Sequence, residues 1–443
     1  MQGLPGTEQG PVRALIGRRP DCSIDRSSGG DGNGMTYLGE FRVNGRALLA
    51  STVGHGAGLA VSAYIIGSFA PHLLKEFGWS KADFALLSTA TLLTLLCLPL
   101  IGRATDLFGV RRVASLGVIV LPLTYLALSV FNGELKVFIG LTMLQVIFGT
   151  TTTSTVYSRL VADRFREARG MALAIMASGP AITGAVGAML LNDYIDEQGW
   201  RAGYRAIAVF TAVFGLLALA MIPADARPAA VAVRRRRAAR DYPVILRSPA
   251  FWVICGGMFL CNIPQTLNGP QLKLMLLDNG ADSAAAAMMV SLFATGVIIG
   301  RFACGLALDR FPAHVVAAVS MGLPSIGLFL IASAFDAQWV LVGAVLLMGL
   351  SQGAEGDIAG YLVVRHFGVE IYSSVLGLCI AALGLATAVG AVLLSRFLDW
   401  TGGYVVFLHL TAGSVLLGGL MFLLLGRAGI AGRPVVAPEP AAD

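Results

Sequence analysis

The chain has 443 residues, of which 56% are hydrophobic and 13% are charged, and it carries a formal net charge of +6 and a mean hydropathy of +0.75. In water such a chain would expose large apolar faces, so the composition excludes an ordinary soluble globular protein. We therefore expect it to lie in a lipid bilayer. The basic excess then belongs to loops beside an anionic leaflet, and no nucleic-acid partner is implied.

Twelve apolar stretches are each long enough to cross about 30 Å of hydrocarbon as a helix, which requires roughly 20 residues. The predicted fold class is an all-α membrane protein with twelve transmembrane helices in two six-helix bundles. We number the stretches as spans 1 to 12, in order 48–74, 84–104, 113–131, 135–158, 170–192, 204–223, 250–277, 285–308, 314–334, 338–362, 372–397 and 404–426.

Two sequence patterns recur at one offset and indicate a duplication. Residues 102–108 read GRATDLF, and 203 positions later residues 305–311 read GLALDRF. The same offset carries AVGAMLL at 185–191 onto AVGAVLL at 388–394. Two markers in one register predict that the second six spans repeat the first six.

The spans and their flanks divide the chain into five segments. The bundles are residues 47–224 and 249–427, joined by a basic linker at 225–248. The tails, 1–46 and 428–443, lack apolar periodicity and are predicted to be disordered. A translation start at Met35 is a further hypothesis for the first tail.

Basic residues near the span ends collect on one side of the membrane, which we call the basic side. Because cytoplasmic loops are enriched in Lys and Arg, this side is predicted to be cytoplasmic. Both termini would then face the cytoplasm, and we expect a multi-pass protein of the inner membrane. The residues concerned are Arg111, Arg112, Arg159, Arg164, Arg166, Arg169, Arg234 to Arg237, Arg310 and Arg365.

Two similar bundles can rock about a central site, so that the site opens to one side of the membrane at a time. The repeated motif has a matching role, since Gly102 and Gly305 allow close helix contact. Asp106 and Asp309 are suited to cap a neighbouring helix N-terminus or to pair with a loop arginine. The motif therefore predicts a latch that holds the basic side shut.

The first copy of the motif resembles a loop of the major facilitator superfamily that reads roughly GxLaDrxGrRrv. Leu107 and Val110 replace two arginines of that pattern, and the second copy supplies Asp309, Arg310 and Phe311. The resemblance covers about residues 48–426 and implies the major facilitator fold. The matching positions are Gly102, Ala104, Asp106, Gly109, Arg111, Arg112 and Val113, and the predicted gating set adds Gly305, Asp309 and Arg310 to them.

Shorter stretches are similar to the monocarboxylate porter branch of that superfamily, especially its bacterial members. This resemblance implies transport of small organic carboxylates together with a proton. The stretches are LKEFGWS at 74–80, RGMALA at 169–174, GWR at 199–201 and GRF at 300–302.

Arg301 lies about eight residues before the basic end of span 8, roughly 12 Å deep at the helical rise. Charges at such depth are costly and are functional by default, and a guanidinium fork matches a carboxylate. The resemblance likewise implies an arginine for substrate binding and coupling here. A snorkelling or gate-bridging arginine is the alternative. Val297 replaces the family's usual acid one turn earlier, and the lysine of vertebrate members has no counterpart between Leu59 and Leu74.

Glu355 and Asp357 lie in the inner half of span 10 and are the candidates for proton coupling. Two residues apart on a helix, their side chains diverge by about 200°, so one can face a cavity and the other a neighbouring helix. An anion at Arg301 would alter the protonation of such a carboxylate. The alternative is a structural bridge to Arg365 or to the loop between spans 4 and 5.

Span 7 carries a polar series beside Pro264, a residue that can break the helix. Gln265 and Asn268 share a face, with Asn262 on roughly the same side, and all three are candidate substrate ligands. Hydrogen bonding between helices is the alternative role. Weaker candidates are Tyr64, Gln145, Tyr157 and Tyr361. His55 could titrate, and the interpretation preferred over this is a packed polar residue near the cytoplasmic end of span 1.

The leading interpretation is a secondary transporter that moves a small organic anion, a monocarboxylate, by proton symport and functions as a monomer. The alternatives are a proton-driven exporter of amphipathic or aromatic compounds and a transporter-like sensor. Ser178-Gly179-Pro180 in span 5 loosely resembles a Gly-Pro motif of antiporter branches, which implies export; close helix packing with a kink is the other interpretation of these residues. No Ser-His-Asp set, HExxH or P-loop motif is present, so no catalytic residue and no enzymatic activity is predicted. The cysteine spacing implies no metal, and no cofactor is expected.

Overall fold

A computed structural model describes residues 36–79, 88–223, 241–268, 270–278, 283–333 and 337–427. Across these ranges the chain is helical and has no β-strand. Ten helices are long and apolar enough to cross a membrane, and the bent pair Tyr37–Gly56 and Ala60–Ile66 makes an eleventh. Ser88–Phe108 corresponds to span 2, whose predicted first residues lie outside the described ranges. The predicted fold class is confirmed: twelve helices in two six-helix bundles.

In the N-terminal bundle, span 1 comprises Tyr37–Gly56 and Ala60–Phe77, span 2 Ser88–Phe108, span 3 Val110–Ser129, span 4 Leu135–Gly149 and Ser154–Arg164, span 5 Arg169–Gln198, and span 6 Trp200–Met221. In the C-terminal bundle, span 7 comprises Pro249–Asn262 and Pro270–Asp278, span 8 Ser283–Arg310, span 9 Ala313–Gly322 and Pro324–Ala332, span 10 Gln338–Phe367, span 11 Tyr372–Thr401, and span 12 Val405–Phe422.

The first helix begins at Tyr37, whereas the sequence predicted a disordered tail to residue 46. Local capping and a contact with a loop explain the difference. The Thr36 hydroxyl accepts a hydrogen bond from the Gly39 N–H at 3.2 Å. The Glu40 carboxylate accepts from the backbone N–H groups of Arg166 and Ala168. These polar bonds hold a segment that lacks apolar periodicity. The rest of the predicted tail lies outside the described residues.

The end of the predicted linker is helical over 241–247 and contacts the basic end of span 2. Asp241 forms an ion pair with Arg103 at 2.6 Å, and the Tyr242 hydroxyl donates to the Pro99 carbonyl at 3.3 Å. Residues 224–240 of the linker and the predicted tail at 428–443 are outside the described ranges.

Span 7 is interrupted at the predicted position. The α-helix ends at Asn262, a 3-10 helix runs over Ile263–Leu267, and a second helix begins at Pro270. Pro264 has no N–H and its ring crowds the preceding turn, so the α-helical ladder cannot continue through it. The break turns the side chains of Gln265 and Asn268 toward span 10.

Spans 8 and 10 approach closely through glycines spaced four apart on each helix. These are Gly296 and Gly300 in span 8, and Gly349 and Gly353 in span 10. A Cβ on Gly300 would lie 2.0 Å from the Leu350 carbonyl oxygen, and one on Gly353 would lie 2.0 Å from that of Val297. Small residues at this spacing let two backbones pack directly against each other in a membrane. The packing fixes Arg301, which follows Gly300, beside span 10.

Candidate functional site

Asp309, at the end of span 8, caps the N-terminus of span 5 in the other bundle. Its carboxylate accepts hydrogen bonds from the backbone N–H groups of Gly170 at 2.6 Å and Met171 at 3.0 Å. The Tyr37 hydroxyl donates to the same carboxylate at 3.1 Å. These N–H groups have no partner within their own helix, and an anion is favoured at this end of the helix dipole.

Asp106 makes the equivalent contacts at the N-terminus of span 11. It accepts from the backbone N–H groups of Ser373 at 3.1 Å and Ser374 at 2.6 Å, and from the Ser374 hydroxyl at 2.6 Å. It also forms a buried ion pair with Arg159 of span 4. Each capping aspartate thus joins one bundle to the other on the basic side.

The motif glycines make both contacts close. A Cβ on Gly102 would lie 2.1 Å from the Ser373 carbonyl oxygen, and a Cβ on Gly170 would lie 2.3 Å from that of Gly305. Gly109 directly precedes span 3 and has a φ of +85°, a backbone region that disfavours other residues. The remaining predicted gating residues, Arg111, Arg112 and Arg310, are exposed.

Arg301 lies at the interface between the bundles, deep in span 8. Its Nη1 group donates to the Ala177 carbonyl of span 5, and its Nε–H donates to the Gly353 carbonyl of span 10 at 3.4 Å. Among the described residues, no carboxylate lies within ion-pair distance of it. The guanidinium is therefore held by backbone oxygens at membrane depth without a close counter-ion.

A hydrogen-bonded group of amides joins spans 7 and 10. Asn268 donates through Nδ2 to Gln265 Oε1 at 2.7 Å and to Gln352 Oε1 at 2.8 Å. Gln265 in turn donates through Nε2 to Glu355 Oε2 at 2.6 Å. Three predicted residues are thus brought together. Gln352 was missed by the sequence analysis, although it lies three positions before Glu355 and so on the same helix face.

Asp357 points away from that group, as the predicted divergence from Glu355 requires. It is buried, and its Oδ2 atom has no hydrogen-bond partner within the described ranges. Neither acid forms the predicted alternative bridge to Arg365. Both carboxylates are close enough to Arg301 to interact with its charge.

Asn262 is buried, lies beside the Glu355 carboxylate and donates to the Met258 carbonyl of its own helix at 2.9 Å. The remaining predicted ligands lie in different surroundings. Gln145 is buried, with Nε2 lacking a partner in the described part of the chain. Tyr157 is fully buried against Gly54, whereas Tyr64 of span 1 is 49% exposed.

Tyr361 lies on the basic side, where it packs against core residues of both bundles. It interacts electrostatically with Asp309 and Arg169, which are parts of the closed gate. The structure thus separates this tyrosine from the amide group around Gln265.

A separate apolar cavity of about 500 Å³ opens in the N-terminal bundle between spans 1, 5 and 6. Ile65, Val186, Leu190 and Phe210 are among its lining residues. None of the predicted polar site residues lines it.

A family model described as Major Facilitator Superfamily matches this chain twice, over residues 56–268 and 254–441. The chain belongs to the major facilitator superfamily. The two matches correspond to the two bundles, so each half by itself carries the family pattern. As a member of this superfamily, it is a multi-pass membrane protein that acts on small molecules, and nothing in the family or fold indicates catalysis.

Relatives with known names include both efflux proteins and monocarboxylate transporters. The chain is 26% identical to the agnestins efflux protein AgnL12 of Paecilomyces divaricatus, over 75% of this chain and 74% of the relative. It is 24% identical to human monocarboxylate transporter 11, over 82% of this chain and 79% of the relative. The proton:xylose symporter XylE, solved with 6-bromo-6-deoxy-D-glucose bound, superposes with a TM-score of 0.64 at 13% identity, over 87% of this chain and 95% of XylE. That likeness shows the fold alone.

Proposed function

We propose that the protein is a secondary active transporter that moves a small organic anion, a monocarboxylate, with a proton by alternating access. The observation that carries the proposal is the position of Arg301 between the two bundles, bonded to the Ala177 and Gly353 carbonyls and lacking a close counter-ion among the described residues. A desolvated guanidinium in that state favours an anionic ligand, and its planar fork fits a carboxylate.

The amide group of spans 7 and 10 offers donors and acceptors for the rest of the ligand. Gln265, Asn268 and Gln352 already exchange hydrogen bonds with one another. A ligand that takes the place of one partner exchanges one hydrogen bond for another, at little cost in binding free energy. Glu355 ends this chain of bonds. We place the transported proton on Glu355 or Asp357, because a buried carboxylate without full hydrogen bonding is costly while it is charged.

Closure on the basic side supports alternating access. Asp106 and Asp309 must release four backbone N–H groups for the bundles to separate there, and water can then replace the carboxylates. In this proposal the basic side is cytoplasmic, and the membrane is the inner membrane of the cell.

Uptake into proteoliposomes with an imposed pH gradient tests the proposal. Lactate, succinate and benzoate serve as mono-, di- and aromatic carboxylates. We expect a pH gradient to drive uptake of at least one of them, and R301A to raise its KM at least about tenfold, since a hydrogen bond to a charged group contributes about 1.5–3 kcal/mol. Arg205, an exposed arginine that donates to the Arg201 carbonyl, gives the control variant R205A. Equal KM values in R301A and R205A would contradict an anion site at Arg301.

The double variant E355Q/D357N tests the proton site in the same vesicles. We expect downhill exchange of the anion to continue, while accumulation against a gradient is lost. Proton-driven uptake that is unchanged in this variant would rule out both acids.

Export of an amphipathic or aromatic compound is the second candidate function. The apolar cavity of about 500 Å³ and the similarity to a protein named for efflux favour it. Energised cells distinguish the two directions: depletion of an aromatic substrate from cells that express the protein supports export, and accumulation of a carboxylate supports import.

A further inference from the structure

Pro180 creates an unusual acceptor in span 5. Proline has no N–H, so the carbonyl of Met176, four residues earlier, loses its donor within the helix. The Ala177 carbonyl keeps its helical donor, the N–H of Ala181, but a carbonyl oxygen has a second lone pair and can accept another bond. The carbonyls of Met176 and Ala177, which we call the carbonyl pair, can therefore accept from donors of other helices.

Two side chains from different bundles occupy the carbonyl pair. Arg301 of span 8 donates to the Ala177 carbonyl. His55 of span 1 belongs to the stretch that packs on span 5 beside Pro180, where the Thr183 hydroxyl donates to the Gly56 carbonyl at 2.7 Å. Its imidazole lies beside the Met176 carbonyl, within range of the Arg301 charge. His55 is only 8% exposed, and its Nδ1 atom has no hydrogen-bond partner within the described residues. A buried polar nitrogen of this kind is uncommon in folded proteins and requires an explanation.

The repeat supplies an internal control for this contact. Shifted by 203 positions, Arg301 corresponds to Leu98 and Pro180 to Leu383. At the position that corresponds to Arg301, spans 2 and 11 meet with Gly377 against the Leu98 carbonyl. The guanidinium of that second interface is Arg159, which pairs with Asp106 at the gate. Arg301 has no carboxylate within ion-pair distance among the described residues, so closure of the gate does not account for it.

The chemistry of a neutral imidazole limits what His55 can bind. It carries one N–H, and the Met176 carbonyl is the acceptor beside it, so the remaining nitrogen offers a lone pair only. A lone pair repels a carboxylate. Protonation adds a second N–H and a positive charge, and the same nitrogen then becomes a donor to an anion.

We propose that His55 is the anion ligand of the N-terminal bundle and that it engages the substrate carboxylate only in its protonated form, opposite Arg301. The carboxylate then replaces Ala177 as the acceptor for the guanidinium. One proton enters from water and resides on the imidazole, and no other bond changes. This inference rests on the proposed function and adds a second, titrating ligand to that site.

The charges around the imidazole are consistent with binding of an anion and a proton together. Arg301 faces it from span 8, and Glu355 and Asp357 of span 10 interact with that arginine. Tyr157 of span 4 packs against Gly54, next to His55 in the chain. Without substrate, the positive charge of Arg301 disfavours protonation of the His55 imidazole. A bound carboxylate offsets one positive charge, so the site with anion and proton carries the same net charge as the empty site.

The pH dependence of transport tests this inference in proteoliposomes. The substrate is whichever of lactate, succinate or benzoate the wild-type protein transports. With His55 as a protonated ligand, the wild-type KM should rise by about tenfold per pH unit once the imidazole loses its proton. H55Q keeps an N–H for the Met176 carbonyl but does not titrate there. We expect its KM to be nearly independent of pH and close to the wild-type value at alkaline pH.

His409 provides the matched control, because it is an exposed histidine whose Nδ1 contacts the Val405 carbonyl of its own helix. H409Q should keep the wild-type pH profile. A pH profile in H55Q identical to that of wild type would overturn the inference while leaving Arg301-dependent transport intact. Failure of the proposed function is a different result, since no tested carboxylate would then be transported by any variant.

Proton uptake on binding gives a second measurement. Wild-type protein, H55Q and H409Q in weakly buffered detergent are each mixed with the same carboxylate in the presence of a pH indicator. We expect H55Q to take up about one proton fewer per anion bound than the wild type, and H409Q to take up the same number. Equal uptake by H55Q and the wild type would overturn the role of His55.

Discussion

Asp106 and Asp309 make the same pair of backbone hydrogen bonds at positions related by one sequence offset. Asp309 accepts from the N–H groups of Gly170 and Met171. Asp106, 203 positions before Asp309, accepts from those of Ser373 and Ser374, which lie 203 positions after Gly170 and Met171. The repeat seen in the sequence is therefore also a repeat of contacts. The two copies differ in their other partners: Asp106 also forms a buried ion pair with Arg159, whereas Asp309 accepts from the Tyr37 hydroxyl.

That difference predicts unequal effects of the same substitution. In D309N the asparagine still caps a helix, so we expect a cost of no more than about 1 kcal/mol. In D106N the buried Arg159 guanidinium loses the carboxylate it faces, and we expect a cost of about 3–5 kcal/mol. Thermal unfolding in detergent should therefore show a clearly lower Tm for D106N than for D309N. Equal Tm values would contradict the energetic importance of the ion pair.

Gly102→Ala should shift the protein toward a state that is open on the basic side. The new Cβ would meet the Ser373 carbonyl oxygen at 2.1 Å, and this contact lies between the bundles. Separation of the bundles relieves the clash without disrupting either one. Hydrogen–deuterium exchange should increase at the first turn of span 11. Gly140→Ala, where a Cβ meets nothing within 4 Å, is the control and should leave exchange unchanged.

Gly353→Ala should instead damage the C-terminal bundle itself. A Cβ there would lie 2.0 Å from the Val297 carbonyl oxygen, and spans 8 and 10 belong to the same bundle. Overpacking of this kind costs about 1–3 kcal/mol or more. Gly356→Ala, on the same helix with no atom within 4 Å, should be neutral or stabilising. Size-exclusion profiles and Tm values of the two variants compare them directly, and similar behaviour would be the contrary result.

On the side opposite the gate, we expect the contacts of Glu76 with Trp200 and Arg201 to weaken in acid. The indole N–H of Trp200 donates to its carboxylate at 2.5 Å and Arg201 at 2.7 Å, and these bonds hold the pKa of Glu76 below its usual value. A lowered pKa in the folded state means that the stabilisation is present at neutral pH and is lost as the pH falls through that pKa.

Wild type should therefore have a higher Tm than E76Q at pH 7, and the difference should shrink toward zero in acid. Glu76 and Arg201 are both partly exposed, so the Tm difference should be small and sensitive to salt. E197Q, which removes an exposed acid at the end of span 5, is the control. A Tm difference that does not change with pH would exclude ionisation of Glu76 as its cause.

Several features of the site could be predicted because they depend on local pattern. Pro264 interrupts span 7 where the sequence placed the break, since a missing N–H acts on its own helix. Glu355 and Asp357 diverge as helical geometry requires. The capping role of Asp106 and Asp309 was also expected, but the sequence could not identify which helix each one caps. That choice depends on how the two bundles meet.

His55 shows the limit of the same approach. In the sequence it is a lone histidine near the start of span 1 and was interpreted as a packed polar residue. Its position near Arg301 depends on how span 1 packs on span 5 beside Pro180 and on contact between the bundles. Ala177 and Arg301 are 124 residues apart, and no periodicity links positions so distant.

By itself, the sequence determined the spans, the duplication and the family, because apolar length, a fixed offset and a short motif are properties of contiguous residues. Only the tertiary structure decided which carbonyls hold Arg301, which helices the two aspartates cap and which amides surround Glu355. Those contacts join helices far apart in the chain. Their geometry follows from helix rotation, kinks and the packing of glycines, which act together rather than residue by residue.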